Sequence, residues 1–215
     1  WIERKPIQLL VASLIMILVG SLVELIPTFM VKSNVPTIEA VKPYTSLELE
    51  GRDIYIREGC VGCHSQLVRP FRSETERYGE FSKSGEFVYD HPFLWGSKRT
   101  GPDLHREGGK YPDSWHYHHM REPQSMSPGS IMPAYDWLYE QTLSTAQTQD
   151  KLTAMKKLGV PYTDSEIANA VADLNAQSKA IQGRLAEEKI KVSADKEIIA
   201  LIAYLQRLGT DISKK

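Results

Sequence analysis

The strongest pattern in the chain is an uninterrupted apolar run near its start. From Ile7 to Val31 there are 25 residues, and only Gln8 and Glu24 among them carry strongly polar side chains. As a helix this run would be about 37 Å long, whereas the hydrocarbon core of a bilayer is about 30 Å thick. A buried core helix is disfavoured because the run is apolar on every face, and a cleaved signal peptide because its apolar core would be shorter. Residues 1–33 are therefore predicted to form a retained transmembrane anchor.

The charges beside this anchor predict its orientation. Arg4 and Lys5 precede the span and place the N-terminus in the cytoplasm by the positive-inside rule, although Lys32 on the other side weakens the bias. Glu24 lies near the far end of the span, where it either reaches the headgroup region or faces a partner helix or an ion. The sequence leaves the role of Glu24 open.

The pattern after the anchor predicts a linker and then a helical domain over residues 45–215. Residues 34–44 contain two prolines that interrupt regular structure and are expected to be the linker. Thr45, followed three residues later by Glu48, is a capping box that opens a helix, and Gly59 is expected to stop it. One face of this helix is predicted to carry Leu47, Gly51 and Tyr55.

The middle of the chain has no sustained apolar period. Residues 66–113 are rich in Gly, Pro, Arg and aromatic residues and are predicted to form a long loop, with a hairpin near Ser82–Gly85 flanked by Phe81 and Phe87. Loops of this length are uncommon unless they have a functional role, such as wrapping a cofactor. A short helix is predicted over residues 114–121.

Amphipathic patterns return in the last third of the chain, including a predicted helical insertion around residues 141–191. A second capping box, Thr163 with Glu166, opens a helix whose apolar stripe is expected to pack within the domain, with a partner-facing surface as the alternative. Ser193 is predicted to cap the start of the last helix, and Gly209 is predicted to end it. The two stripes consist of Ile167, Val171, Leu174, Ile181 and Leu185, and of Ile198, Leu201, Ile202, Leu205 and Leu208.

Composition excludes several classes of function. The 26 basic and 27 acidic residues nearly cancel, so the chain lacks the positive charge that marks a nucleic-acid-binding protein. The chain has only two cysteines, which leaves nothing from which to build a disulfide framework.

Those two cysteines lie in the segment Cys60-Val61-Gly62-Cys63-His64, which is the attachment motif of c-type haem. Two thiols spaced in this way reach the two vinyl groups on one edge of a porphyrin, and the adjacent imidazole falls beneath the iron. A zinc site needs about four ligands, and a thioredoxin-like redox pair needs a βαβ context, neither of which the sequence offers. The motif therefore predicts one covalently attached haem c, with His64 as an iron ligand.

The other axial ligand is expected to be a Met or His on a rigid downstream loop. Met132 is favoured because prolines at positions 128 and 133 fix the backbone on both sides of it, although a Met more often fills a core. The Pro102 carbonyl is expected to orient the ring of His64. The alternative ligands are Met120, Met126, His116, His118 and His119.

The three histidines at positions 116, 118 and 119 also suggest a metal site of their own. On a helix, however, His116 and His119 share a face from which His118 points away. Contacts with haem propionates or with a partner protein are therefore expected in preference to a separate metal ion.

The order of these motifs closely resembles the monohaem subunit (subunit II, CcoO or FixO) of cbb(3)-type cytochrome c oxidases. The resemblance rests on the anchor, the Cys60–His64 motif, and three stretches, Trp95–Leu104, Trp115–Met120 and Ser130–Tyr135. It implies a mainly α protein whose class I cytochrome c domain lies in the periplasm of a Gram-negative bacterium. It also implies that His64 and Met132 bind the iron.

The resemblance further implies a non-catalytic subunit of an oxidoreductase complex in the inner membrane. Such subunits pass electrons from a dihaem cytochrome c subunit or a soluble cytochrome c to the haem b of a large polytopic haem–copper subunit, which reduces oxygen. The closest alternative is the small cytochrome c subunit of nitric oxide reductase. A haem enzyme with an open iron position and a membrane-tethered thiol–disulfide oxidoreductase are the alternatives from other classes.

Overall fold

The protein is described here by a computed structural model that covers residues 2–31 and 36–213. Lys32 and the start of the predicted linker at Asn34 lie outside the described residues. The chain divides into two compact units, Trp1–Ile38 and Glu39–Lys215.

The first unit contains a single long helix, α1 (Pro6–Met30), preceded by a 3₁₀ turn at Ile2–Arg4. Its segment Pro6–Thr28 is long and apolar enough to cross a bilayer, and none of it is buried against protein. A helix that presents apolar side chains on all sides needs a nonpolar surrounding. The predicted apolar N-terminal helix is confirmed.

The second unit is organised around α2 (Ser46–Arg57). The predicted capping box is present, because the Thr45 hydroxyl accepts from the Glu48 amide and the Glu48 carboxylate accepts from the Thr45 amide at 2.7 Å. The helix ends before Gly59, whose φ of +73° is the left-handed conformation that favours glycine.

The C-terminal helix α9 (Glu197–Arg207) crosses α2 at very close range. A Cβ atom at Gly51 would lie 1.9 Å from the carbonyl oxygen of Ala200, so only glycine allows the two backbones to approach this closely. Helix α9 is buried along its length, and its core residues are Ile198, Ile199, Leu201, Ile202, Tyr204 and Leu205. The pair α2 and α9 therefore forms the centre of the domain.

The predicted start of this last helix at Ser193 is wrong, since α9 begins at Glu197. The preceding residues are tied to a neighbouring segment: the Leu143 amide donates to the Asp195 carbonyl at 2.7 Å, and the Glu197 amide donates to the Gln141 carbonyl at 3.2 Å. Backbone groups engaged in this way cannot also form a helical turn. The predicted end at Gly209 is close, because α9 stops at Arg207 and Gly209 has a φ of +71°.

Helices α7 (Thr148–Lys157) and α8 (Asp164–Glu187) occupy the region predicted as a helical insertion. The capping box between Thr163 and Glu166 is present. The stripe of α8 packs against other helices of the same domain, as expected. Its buried residues are Ala170, Leu174, Ser178, Ile181 and Leu185.

The long middle segment contains more structure than its pattern predicts. It forms α3 (Arg72–Tyr78) and a 3₁₀ turn at Ser84–Phe87, so the predicted hairpin is wrong. The Lys83 amide donates to the Glu86 carboxylate at 2.8 Å, which closes a helical turn where a strand pair was expected. Within the described residues no β-strand occurs, and a single bridge joins Thr142 to Lys196.

The remaining helices surround the second half of the domain. The helix predicted over residues 114–121 is α4 (Asp113–Arg121), followed by the short α5 (Pro123–Met126) and α6 (Trp137–Glu140). A last turn, α10, covers Thr210–Ser213. Of these elements, α4 and the loop after α5 face the site described next.

Candidate functional site

A cavity of about 680 Å³ lies in the second unit. This volume is within the range of about 300–1,000 Å³ that is typical of small-molecule and cofactor sites. The cavity is lined by all four residues that the sequence predicts to hold a cofactor, which are Cys60, Cys63, His64 and Met132. Among the alternative ligands, Met120, His116 and His119 line it, whereas Met126 and His118 are outside the lining.

The two cysteines are presented by a tight turn between α2 and the following loop. The chain forms a 3₁₀ turn at Cys60–Gly62, and the Cys60 carbonyl accepts from the amides of Cys63 at 3.1 Å and of His64 at 2.9 Å. Both thiols are free; Cys60 is buried and Cys63 is exposed. Burial raises the pKa of the Cys60 thiol to about 12, so this sulfur is not a stable thiolate. A protonated thiol does not suit thiol–disulfide exchange, which requires a thiolate.

The ring of His64 is oriented by a single backbone group. Its Nδ1 atom donates a hydrogen bond to the Pro102 carbonyl oxygen at 2.9 Å, as predicted. Because Nδ1 carries the proton, Nε2 keeps its lone pair and is free to bind a metal ion. Burial lowers the pKa of His64, which favours the neutral ring that a metal requires.

Gly101 forms a cradle for that ring. A Cβ atom at this position would lie 2.3 Å from Cε1 and 2.7 Å from Nδ1 of His64, so any side chain would displace the imidazole. The amides of Thr100 and Gly101 both donate to the Cys63 carbonyl at 2.9 Å, which holds the cradle against the cysteine turn.

A buried carboxylate fixes this loop from behind. Asp103 accepts from the Ser65 hydroxyl at 2.6 Å, from the Leu67 amide at 2.8 Å and from the His105 amide at 2.9 Å. Arg99 is 3.3 Å from the same carboxylate. These contacts join the segment that follows His64 to the loop that contains Pro102.

Arg99 also connects the loop to α3. Its guanidinium donates to the Glu74 carboxylate at 2.8 Å and to the Leu67 carbonyl at 2.7 Å. The hydrogen bond from Arg99, with further ones from Arg69, lowers the pKa of Glu74 to about 2. Glu74 is therefore ionised at neutral pH, and α3, absent from the sequence-based prediction, supports the His64 loop.

Met132 follows a turn formed by residues 127–130. The Ser130 amide donates to the Ser127 carbonyl at 3.0 Å, and Gly129 between them has a φ of +81°. The Met132 amide donates to the Ser130 hydroxyl at 3.2 Å. Met132 is half-buried and packs against the core beside the cavity, whereas its neighbour Ile131 is 80% exposed. The turn thus presents a thioether to the cavity.

Helix α4 contributes two histidines with unpartnered nitrogens to the cavity wall. His116 is only 1% exposed, and its Nε2 atom and the buried Nδ1 atom of His119 have no hydrogen-bond partner. Burial lowers the pKa of His116 to about 4 and also lowers that of His119. His118 is exposed and contacts Tyr117 instead, with ring centroids 5.5 Å apart. In the part of the chain that the structure describes, no three His, Cys, Asp or Glu side chains cluster as a separate metal site.

Taken together, these residues fit a haem. Two thiols, an oriented imidazole and a thioether line the cavity, and the Gly101 cradle leaves no room for a side chain beside the imidazole. The nitrogen of His116 that has no partner in the protein is available to a polar group of the ligand.

Gly101 and Asp103 support the site but have no assigned role in the sequence analysis. Both flank Pro102, whose carbonyl the sequence predicts to orient His64, and lie in the Trp95–Leu104 stretch that carries the family resemblance. A polar residue next to a Gly-Pro turn was the available signal, but its partners Ser65 and Leu67 are more than 30 residues away.

Comparison with known protein families supports this assignment. Residues 1–212 match the family described as the mono-heme subunit of cytochrome c oxidase, FixO. A search among curated individual proteins found no match. The match spans the apolar helix and all but the last three residues of the unit that contains the cavity. The chain therefore belongs to the FixO family of cytochrome c oxidase mono-heme subunits.

Proposed function

We propose that the chain is the electron-relay subunit of a cbb(3)-type oxidase. One haem c is attached to Cys60 and Cys63, with His64 and Met132 on its iron. Electrons come from a dihaem cytochrome c subunit or a soluble cytochrome c. They leave for the haem b of a large polytopic haem–copper subunit, where oxygen is reduced. The observation that carries this proposal is the meeting of all four residues at one cavity in a chain of the FixO family.

The residues of this chain act by holding and tuning the iron. When bound, a haem with two protein ligands supplies one-electron exchange and has no vacancy for oxygen or peroxide. His64 would bind the iron through Nε2, because its Nδ1–H group donates a hydrogen bond to the Pro102 carbonyl oxygen. A thioether ligand such as Met132 favours ferrous iron and raises the potential, which suits a late position in a respiratory chain.

The family match favours the oxidase over the small cytochrome subunit of nitric oxide reductase, the closest alternative. Burial also argues against a thiol oxidoreductase, because it raises the pKa of the Cys60 thiol to about 12 and so disfavours the thiolate. An enzyme with an open iron position would need the cavity to lack a second ligand, and both Met132 and Met120 line it.

The haem domain is proposed to lie in the periplasm of a Gram-negative bacterium, with α1 in the inner membrane. Arg4 and Lys5 precede α1, and such charges favour the cytoplasmic side. Protease added to spheroplasts should therefore digest the domain after α1. Complete protection, with digestion only after lysis, would reverse the proposed orientation.

The relay role is tested by breaking the haem site without removing the subunit. In the purified complex, His64→Ala should abolish oxygen uptake driven by cytochrome c. A small artificial donor that reaches haem b directly should still support oxygen reduction. His118→Gln, which alters an exposed ring outside the cavity, is the matched control and should keep both activities.

Co-purification of the subunit with the polytopic chain shows that the variant has assembled. If His64→Ala does not assemble, Met132→His, which keeps two ligands, serves in its place and should slow the cytochrome c-driven reaction. Full cytochrome c-driven activity in an assembled His64→Ala complex would mean that electrons bypass this haem, and the proposal would be wrong.

A further inference from the structure

The imidazole of His116 is a buried polar group in the cavity wall. It is 1% exposed, it lines the cavity, and its Nε2 atom has no hydrogen-bond partner in the protein. Buried polar groups in folded proteins are almost always paired, because leaving one unpaired costs about 1–3 kcal/mol. A side chain in this state indicates that its partner belongs to the ligand of the cavity.

The ring of His116 is held in place by aromatic neighbours. Trp115 meets it edge-on, with centroids 5.3 Å apart and planes at 90°. Trp115 in turn stacks on Tyr111 at 4.1 Å and on His119 at 4.5 Å. A ring fixed on this scaffold cannot swing away to find another partner, so Nε2 stays directed at a fixed site.

The rest of the cavity wall identifies what kind of ligand group meets this nitrogen. Leu201 and Leu205 of α9 are buried and apolar, and they offer no acceptor. Next to α4, Lys110 is the only lysine or arginine among the described residues that line the cavity, and its ammonium lies 3.6 Å from the carboxylate of Glu107, which also lines it. The charges of Lys110 and Glu107 offset each other, which leaves the imidazole of His116 as the group that needs a partner on the ligand, and an ionised acceptor gives the stronger hydrogen bond.

A haem carries two carboxylates, its propionates, at the edge of the macrocycle away from the vinyl groups. Attachment of the vinyl groups to Cys60 and Cys63 therefore turns the propionates towards another wall. We propose that the Nε2–H group of His116 donates a hydrogen bond to a haem propionate carboxylate, so that the propionate edge lies against α4. This inference rests on the haem assignment made above and adds His116 as a positioning residue.

The proposed hydrogen bond has a consequence for the redox behaviour of the iron. A propionate carboxylate is a negative charge close to the iron, and an unshielded negative charge stabilises the ferric state. A donor that shares this charge weakens the effect and raises the potential. Removal of the His116 donor should therefore lower the potential of the haem while both axial ligands stay in place.

The test uses the full-length chain, purified in detergent with its haem isotope-labelled at the propionate carboxyls. Redox difference infrared spectra then report the carboxylate stretching bands of the propionates alone. His116→Phe should shift one labelled band and lower the midpoint potential. His116→Gln, which restores an N–H donor, should return both values towards those of the original chain, and His118→Gln should change neither.

A merely structural role would not move the labelled bands. Unchanged bands in His116→Phe would overturn the proposal, and so would loss of the low-spin spectrum, which would make His116 an iron ligand. If His116→Phe does not fold, His116→Leu takes its place with the same expected shift. A haem stain of the denatured original chain checks the attachment separately. If that chain carries no covalent haem, the haem assignment is wrong, and this result is distinct from a failure of the His116 proposal.

Discussion

His64 and Pro102 are joined by a 2.9 Å hydrogen bond from the imidazole Nδ1 atom to the carbonyl oxygen, across 38 residues of sequence. This bond fixes the tautomer of His64 and directs its Nε2 lone pair to the cavity. The same loop contributes the Gly101 cradle beneath the ring and the Asp103 carboxylate that holds the loop down. The loop therefore determines the geometry of His64, the proposed iron ligand, as much as the Cys60–His64 motif does.

The cradle predicts a strong effect of a single methyl group. Gly101→Ala would place Cβ 2.3 Å from Cε1 of His64, so the ring or the loop must move. We expect a loss of about 1–3 kcal/mol in the free energy of unfolding of the haem-bound chain, typical of overpacking. The displaced imidazole should also weaken the low-spin spectrum, measured by absorption spectroscopy.

Gly183→Ala is the matched control, because a Cβ atom at that position in α8 meets nothing within 4 Å. Alanine there should leave the spectrum unchanged and stabilise the helix by about 1 kcal/mol. A Gly101→Ala protein with the original spectrum and stability would show that the cradle is not required.

The hydrogen bonds of Asp103 predict that its replacement lowers the stability of the protein. Asp103→Ala removes the acceptor for the Ser65 hydroxyl and two backbone amides and leaves these buried donors unpaired. We expect a cost of about 3 kcal/mol, which corresponds to a fall of about 6–12 °C in the melting temperature. The measurement is thermal unfolding followed at the haem band. Asp173→Asn, on the exposed face of α8, should melt like the original chain, and an equal fall in both variants would contradict the role of Asp103.

The lowered pKa of Glu74 predicts that the stability of the protein depends on pH. Hydrogen bonds from Arg99 and Arg69 hold its folded-state pKa at about 2, below its unfolded value. A carboxyl with a depressed pKa stabilises the fold fully above its unfolded pKa of about 4.3, and this contribution is lost as the pH falls towards 2. Glu74→Gln should therefore melt below the original chain at neutral pH, with the difference shrinking on acidification. A difference independent of pH would exclude this origin.

The sequence predicts the helices of this protein best where local chemistry alone defines them. The capping boxes at Thr45 and Thr163 and the stop at Gly59 depend only on neighbouring residues, and all three are present. The start at Ser193 is wrong because distant backbone groups at Gln141 and Leu143 compete for the preceding segment.

The same distinction applies to the site. The Cys60–His64 motif and the turn before Met132 are local patterns, and the structure brings them to one cavity. The hairpin near Ser82 fails because the carboxylate of Glu86 bonds to the distant Arg106 and caps a 3₁₀ turn. Long-range contacts of this kind leave no local sequence pattern, and α3 was missed in the same segment.

The axial assignment predicts the effect of exchanging the thioether. Met132→His should keep a low-spin haem and lower its midpoint potential, by a large part of the roughly 0.8 V range that axial ligands span. The measurement is a spectroelectrochemical titration of the purified chain. Met126→Leu, which lies outside the cavity lining, is the control and should leave the potential unchanged. An unchanged potential in Met132→His would move the assignment to Met120, the other methionine at the cavity.

The central claim, that this cavity holds one haem bonded to both cysteines, is tested most directly by the intact mass of the denatured chain. Addition of a thiol across a vinyl group loses no atoms, so the polypeptide purified from its native membranes should carry the added mass of one whole haem. Both Cys60 and Cys63 should then resist alkylation, and Cys63→Ala should leave a chain with no haem or with one unstable thioether. A bare polypeptide mass with both thiols open to alkylation would contradict the account.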